Sequence, residues 1–69
     1  MTSLAAPDAR PQRLLFRYAY PGGTLTRWME LGRYLTGRHR EELLNRNRER
    51  LERNARVAGA TIEYRDEPA

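Results

Sequence analysis

The chain has no cysteine and no lysine, and it holds one histidine, one tryptophan, one phenylalanine and one serine. Without cysteine there are no disulfides and no thiolate metal sites. His39 alone cannot build a histidine-rich zinc centre, and no cofactor is expected. The lone serine, Ser3, lies in the N-terminal segment, away from any candidate base. His39 has only Glu42 at a spacing that shares a helix face; Glu41, two residues on, does not. The "PGG" at residues 21–23 lacks the lysine and the glycine spacing of a phosphate-cradling loop. With no catalytic constellation in view, the chain is not expected to be an enzyme. No stretch is long and apolar enough to span a membrane. The first residues do not pair a basic segment with an apolar one, as a secretory signal does. The expectation is a cytoplasmic protein with no membrane partner.

What the chain does have is arginine. All thirteen basic side chains are arginine, against nine acids, for a net charge of +4 over 69 residues. Such a bias arises from a GC-rich genome or from selection for bidentate contacts to phosphate or guanine. Either way the excess favours anionic partners: nucleic acid or an acidic protein. Sixty-nine residues form one domain at most. A fold this small, without disulfides or metal, gains stability most simply from a second subunit, so a two-fold homodimer is expected.

Residues 1–12, "MTSLAAPDARPQ", have two prolines and no periodicity and read as a flexible tail. In "RLLFRYAY", residues 13–20, Leu14, Phe16, Tyr18 and Tyr20 alternate with Arg13, Leu15, Arg17 and Ala19, the pattern of a half-buried strand. "PGG" ends it. Leu25, Trp28, Met29, Leu31 and Leu35 then recur at helical spacings. They predict a first helix over roughly 24–36, capped by Thr24 or Thr26, with Trp28 as its core anchor. Gly32 either weakens that helix or lets another element approach closely. Thr36 caps a second helix over roughly 38–57, and Gly59 ends it. "ATIEYR", residues 60–65, alternates again as a short strand, and 66–69 read as a tail.

The expected fold is α+β, with strand, helix, helix and strand over residues 13–65. Its two-stranded sheet, too small alone, would reach four strands in a homodimer. The strand followed by two helices, over residues 13–56, resembles in architecture the ribbon-helix-helix repressors, whose paired strands enter the major groove. The polar second helix and the surplus last strand depart from that pattern.

"LNRNRERLERNAR", residues 44–56, is the most basic stretch. Leu44, Leu51, Ala55 and Ala58 form a narrow apolar stripe on it. Arg46, Arg50 and Arg53, at i, i+4 and i+7, form a basic ridge. Asn47 stands beside them as a group that can hydrogen-bond a base edge, as asparagine does to adenine. Arg13 and Arg17, on the solvent side of the first strand, offer a second basic surface. Two readings remain open. In one, a small dimeric regulator binds DNA or RNA through Arg46, Arg50, Arg53 and Asn47, supported by Arg13 and Arg17. In the other, the domain is a homodimeric assembly module docking on an acidic protein. Its helix would then be solvated and ion-paired through Glu42–Arg46, Glu49–Arg53 and Glu52–Arg56.

Overall fold

The computed structural model describes residues 10–69. In chain order these form β1 (Gln12–Ala19), β2 (Met29–Tyr34), α1 (Gly37–Ala58) and β3 (Thr61–Pro68). The strands make one antiparallel sheet in the order β2-β1-β3, and α1 packs across it against β2 and β3. This overturns the expected strand-helix-helix-strand order. Among the described residues the order is β-β-α-β, with one helix and a three-stranded sheet. The architectural likeness to ribbon-helix-helix repressors falls with it. The expected N-terminal tail lies outside the described residues up to residue 9; Gln12, its last residue, opens β1. At the other end β3 runs on to Pro68, and the Ala69 N–H donates to the Pro11 carbonyl at 3.0 Å.

The missing first helix is explained by the turn before it. Gly22 has φ 92° and Gly23 φ 96°. Pro21 followed by a residue of positive φ suits a type II turn, and the Gly23 N–H closes it on the Tyr20 carbonyl at 3.1 Å. The chain reverses here and runs back along β1. Both candidate helix caps are used by that reversal. The Thr24 carbonyl accepts from the Tyr20 N–H at 2.8 Å, and the Thr26 hydroxyl oxygen accepts from the Tyr18 N–H at 3.0 Å.

β2 then follows a broken alternation. Met29 lies opposite Phe16, Glu30 opposite Leu15, and Gly32 opposite Leu14, which leaves Leu31 as an extra residue in a β-bulge. The bulge shifts the parity. Met29, Gly32 and Tyr34 therefore share the α1 side of the sheet, while Glu30 and Arg33 face away. The apolar set that imitates a helix is dispersed: Leu25 bridges Ala19 before β2, Met29 and the bulged Leu31 lie in it, and Leu35 is exposed beyond its end.

α1 forms where the cap signals place it. The Thr36 hydroxyl oxygen accepts from the His39 N–H at 3.2 Å. At the C-terminus Gly59, with φ 71°, donates to the Arg56 carbonyl, and the Ala60 N–H donates to Ala55 at 2.8 Å. This pair of bonds is a Schellman closure. The core is small. Leu14 and Leu51 are fully enclosed, with Leu44 and Ala55 beside them. Phe16 meets Tyr18 edge-on, ring centres 5.8 Å apart.

Gly32 is the point of closest approach. A Cβ there would stand 2.8 Å from both terminal carbons of Leu43 on α1. Of the two roles open to Gly32, close approach is the one it has. At the N-terminal end of α1 a polar clamp adds to this seat. Arg40 donates to Asp66 through Nε at 2.8 Å and Nη2 at 3.1 Å, and the Tyr34 hydroxyl donates to the same carboxylate at 2.7 Å. One residue from each of α1, β2 and β3 thus meets above the central strand. The Arg40 bonds hold the Asp66 carboxyl below the usual carboxylate range against partial burial, with help from Tyr34. Burial, and then the Asp66 hydrogen bond, push the Tyr34 hydroxyl up.

Two outcomes are expected. Gly32→Val destabilises the chain by about 1–3 kcal/mol through overpacking. Combining it with Leu43→Ala costs less than the sum of the single changes, as urea unfolding of the set will show. The Asp66 carboxyl is depressed in the folded chain, so the clamp contributes above the usual carboxylate range and is lost as pH falls through the lowered value. Asp66→Asn therefore lowers stability near neutral pH by at most about 1 kcal/mol for so solvated a pair, and the melting temperature with it. The gap to wild type closes in acid, which thermal melts across pH will read.

Candidate functional site

The sheet has one face under α1 and one face that no described element covers. Arg13 and Arg17 stand on the uncovered face, in the central strand. Arg13 bridges both neighbours, with Nη2 2.9 Å from Glu67 and Nη1 3.5 Å from Glu30. Arg17 Nε lies 2.7 Å from Glu63. Arg33 reaches Glu30 at 3.4 Å, and Arg65 reaches Glu67 at 3.0 Å. Glu30 sits between Arg13 and Arg33, which the register places directly opposite each other. Without that carboxylate two like charges would face across the ladder.

Trp28 belongs to this face and does not anchor a helix. The Arg17 guanidinium lies 4.3 Å from its ring centre and that of Arg65 5.8 Å away. Arginine stacks on an aromatic face in a way lysine does not. Leu15, in the middle of the face, is only 5% exposed. Its cross-strand neighbours are Glu30 and Arg65. Long charged side chains and one indole thus close this side of the sheet. Four arginines meet three glutamates here, so the face carries little excess charge.

The excess lies on α1. Between Arg46 and Arg56 five arginines stand against two glutamates. Arg46, Arg48, Arg50, Arg53 and Arg56 are all solvent-exposed. Arg46, Arg50 and Arg53 project from the side of the helix opposite Leu44, Leu51 and Ala55, as their spacing requires. Of the three expected ion pairs one is present, Glu49–Arg53 at 3.8 Å. Glu42 pairs instead with Arg38, also at 3.8 Å. Among the described residues Arg46, Arg48 and Arg56 have no carboxylate within 4 Å.

Asn47 is turned inward. Its amide donates to the Leu43 carbonyl at 2.8 Å, and its oxygen accepts from Arg50 Nη2 at 2.8 Å. It orients Arg50, and one N–H and one oxygen lone pair of its amide are already engaged. The candidate residues therefore divide. Arg46, Arg50 and Arg53 share one exposed face with Asn47 behind them. Arg13 and Arg17 lie on the far side of the sheet, engaged with acids.

Three features escape the sequence reading. Arg48 and Arg56 extend the exposed basic set, and only the distribution of acids along the helix hints that they are unpaired. The Trp28 stack depends on Arg17 and Arg65 sharing a face, which the alternation of the two strands implies once their pairing is known. The third is the outer side of β3. Beside it runs a shallow groove of about 300 Å³ floored by Ala55, Ala60, Ile62 and Tyr64, with Glu52 and Arg56 at its rim. The Tyr64 hydroxyl is buried at its edge without a hydrogen-bond partner. Burial raises its pKa, Glu52 adds to the shift, and Arg48 opposes it.

Among the described residues no group of histidine, aspartate and glutamate side chains could hold a metal ion, and no helix is long and apolar enough to cross a membrane. The chemistry on offer is binding of anions by exposed guanidinium groups. Comparison with family models, with curated proteins and with solved structures finds no match to the chain.

Proposed function

We propose that the chain binds nucleic acid through its phosphate backbone, with the outward face of α1 as the contact surface. The observation that carries this reading is the concentration of surplus positive charge on one exposed helical face. Arg46, Arg50 and Arg53 share the face of α1 turned away from the sheet, within a stretch where five solvated arginines stand against two glutamates, while the arginines of the sheet are neutralised by acids at close range. Arg46, Arg50 and Arg53 neutralise phosphates and release their counterions. Asn47 holds Arg50 in place for that contact. Arg13 and Arg17 take no part, because a ligand on α1 cannot reach the opposite face of the sheet. Backbone contacts give affinity without sequence preference.

The test is a salt titration of binding to mixed-sequence duplex DNA and to structured RNA. Affinity for either should fall as salt rises. On duplex DNA, replacing Arg46, Arg50 and Arg53 together with alanine should reduce the log–log slope by about 0.9 for each lost phosphate contact. Arg33→Ala, on the opposite face, should leave the slope unchanged. Absence of binding at low salt, or a triple variant with the wild-type slope, overturns the proposal.

A further inference from the structure

We propose that β3 is a self-association edge: two copies pair antiparallel along β3, each Tyr64 opposite the partner's Tyr64, into one six-stranded sheet. The two edges of the sheet differ in a way that matters for pairing. β2 is six residues long and bulged at Leu31, devices that blunt an edge against further strands. β3 is eight residues long, and its register with β1 is unbroken from Gln12–Pro68 to Ala19–Thr61. Proline, which cannot donate to a ladder, occurs only at its last position, Pro68. Among the described residues its outer side has no strand partner.

Charge selects the register. A two-fold pair that keeps the pleat continuous must set like-facing residues opposite each other, so its axis passes through one residue of β3. An axis at Glu63 places Glu63 against the partner's Glu63. An axis at Arg65 places arginine against arginine, and one at Asp66 places aspartate against aspartate. An axis at Ile62 leaves only the first residues of the strand overlapped. The axis at Tyr64 alone combines long overlap with opposite charges: Arg65 faces the partner's Glu63 and Glu63 faces the partner's Arg65, a favourable cross-strand arrangement. Both side chains have surface to spare for it, Glu63 being 42% and Arg65 53% exposed.

The same register accounts for the groove. It sets the partner's Pro68 opposite Ala60, on the α1 side, at the mouth of the hollow floored by Ala55, Ala60 and Ile62. It also brings the two Tyr64 side chains together, where the unpartnered hydroxyl lies. A two-fold axis normal to the sheet keeps both α1 helices on one side, their outward faces pointing the same way. The interface stands whether or not α1 binds nucleic acid, and it is tested without any.

Sedimentation of the full chain over a wide concentration range should show the mass rising from 8.1 kDa to twice that value. Glu63→Arg sets arginine against the partner's Arg65 on both sides of the axis, and Arg65→Glu sets acid against acid. Each should raise the dimer dissociation constant roughly tenfold or more. An equimolar mixture of the two variants should recover the dimer, because their charges are complementary. A wild-type chain that stays at 8.1 kDa overturns the proposal. So do single variants as dimeric as wild type, or a mixture as monomeric as its components, the result expected if these charges act only within one chain. Should a variant fail to fold, amide exchange of the wild type decides. Protection along β3 rises with concentration while the outer side of β2 does not change; equal behaviour of the two edges overturns the interface.

Discussion

The fold depends on one close approach. A sheet of three short strands has little apolar surface, and a single helix must cover it. Leu14 of the central strand is the residue around which this happens. It is fully enclosed, and in the register its neighbours are Gly32 on one side and Asp66 on the other. Gly32 contributes no side chain, so Leu43 settles directly onto the backbone of β2. Asp66 contributes a carboxylate that fastens Arg40 and Tyr34. One neighbour thus admits the helix and the other holds its first turns. The apolar seat supplies the larger stabilisation, since partly solvated ion pairs add little, and the clamp fixes where along the sheet α1 sits.

The opposite face is closed by other means. Among the described residues there is no second helix to cover it, and Leu15 is nonetheless buried. Guanidinium groups make that possible. Each can bridge two carboxylates in its own plane or lie flat on an indole while its alkyl stem covers apolar surface. Arg13 does the first and Arg17 both pairs and stacks. Whatever the origin of the lysine-free composition, the sheet uses what arginine offers and lysine does not. Arg13 and Arg17 are thereby engaged with acids and with the indole, and they share the cover of Leu15 with Glu30 and Arg65.

Much of the architecture is readable in the residues. Alternation marks β1 and the start of β3, Thr36 and Gly59 bound α1, and the stripe of Leu44, Leu51, Ala55 and Ala58 names the buried side of the helix, with Ala58 itself left exposed at the end. The first helix is misread for a physical reason. Periodicity assumes an unbroken pleat, and the bulge at Leu31 breaks it, so Met29, Gly32 and Tyr34 share a face at spacings that belong to no regular strand. Trp28 is misplaced with it, because a large apolar residue in a supposed helix points to a core. For the candidate site, the ridge of Arg46, Arg50 and Arg53 follows from helical spacing alone. The fate of Asn47, and of Arg13 and Arg17, does not, since it depends on which acids and carbonyls the tertiary fold brings near.

Charge is distributed by layer. Acids are spent on the sheet, where seven charged side chains interlock, and they thin out along the far half of the helix. A uniformly basic chain would attract anions from every side. This one is close to neutral on one face and positive on the other, so an anionic ligand has a preferred direction of approach. The open edge of β3 lies between the two faces and belongs to neither. A second copy added there would extend the sheet sideways and leave Arg46, Arg50 and Arg53 uncovered, with Glu63 and Arg65 each gaining a partner residue beside the one they already hold. Two copies so joined would carry their basic helices on the same side. The electrostatic surface would double without any new contact, and a polymer long enough to cross both helices would gain avidity from the pairing.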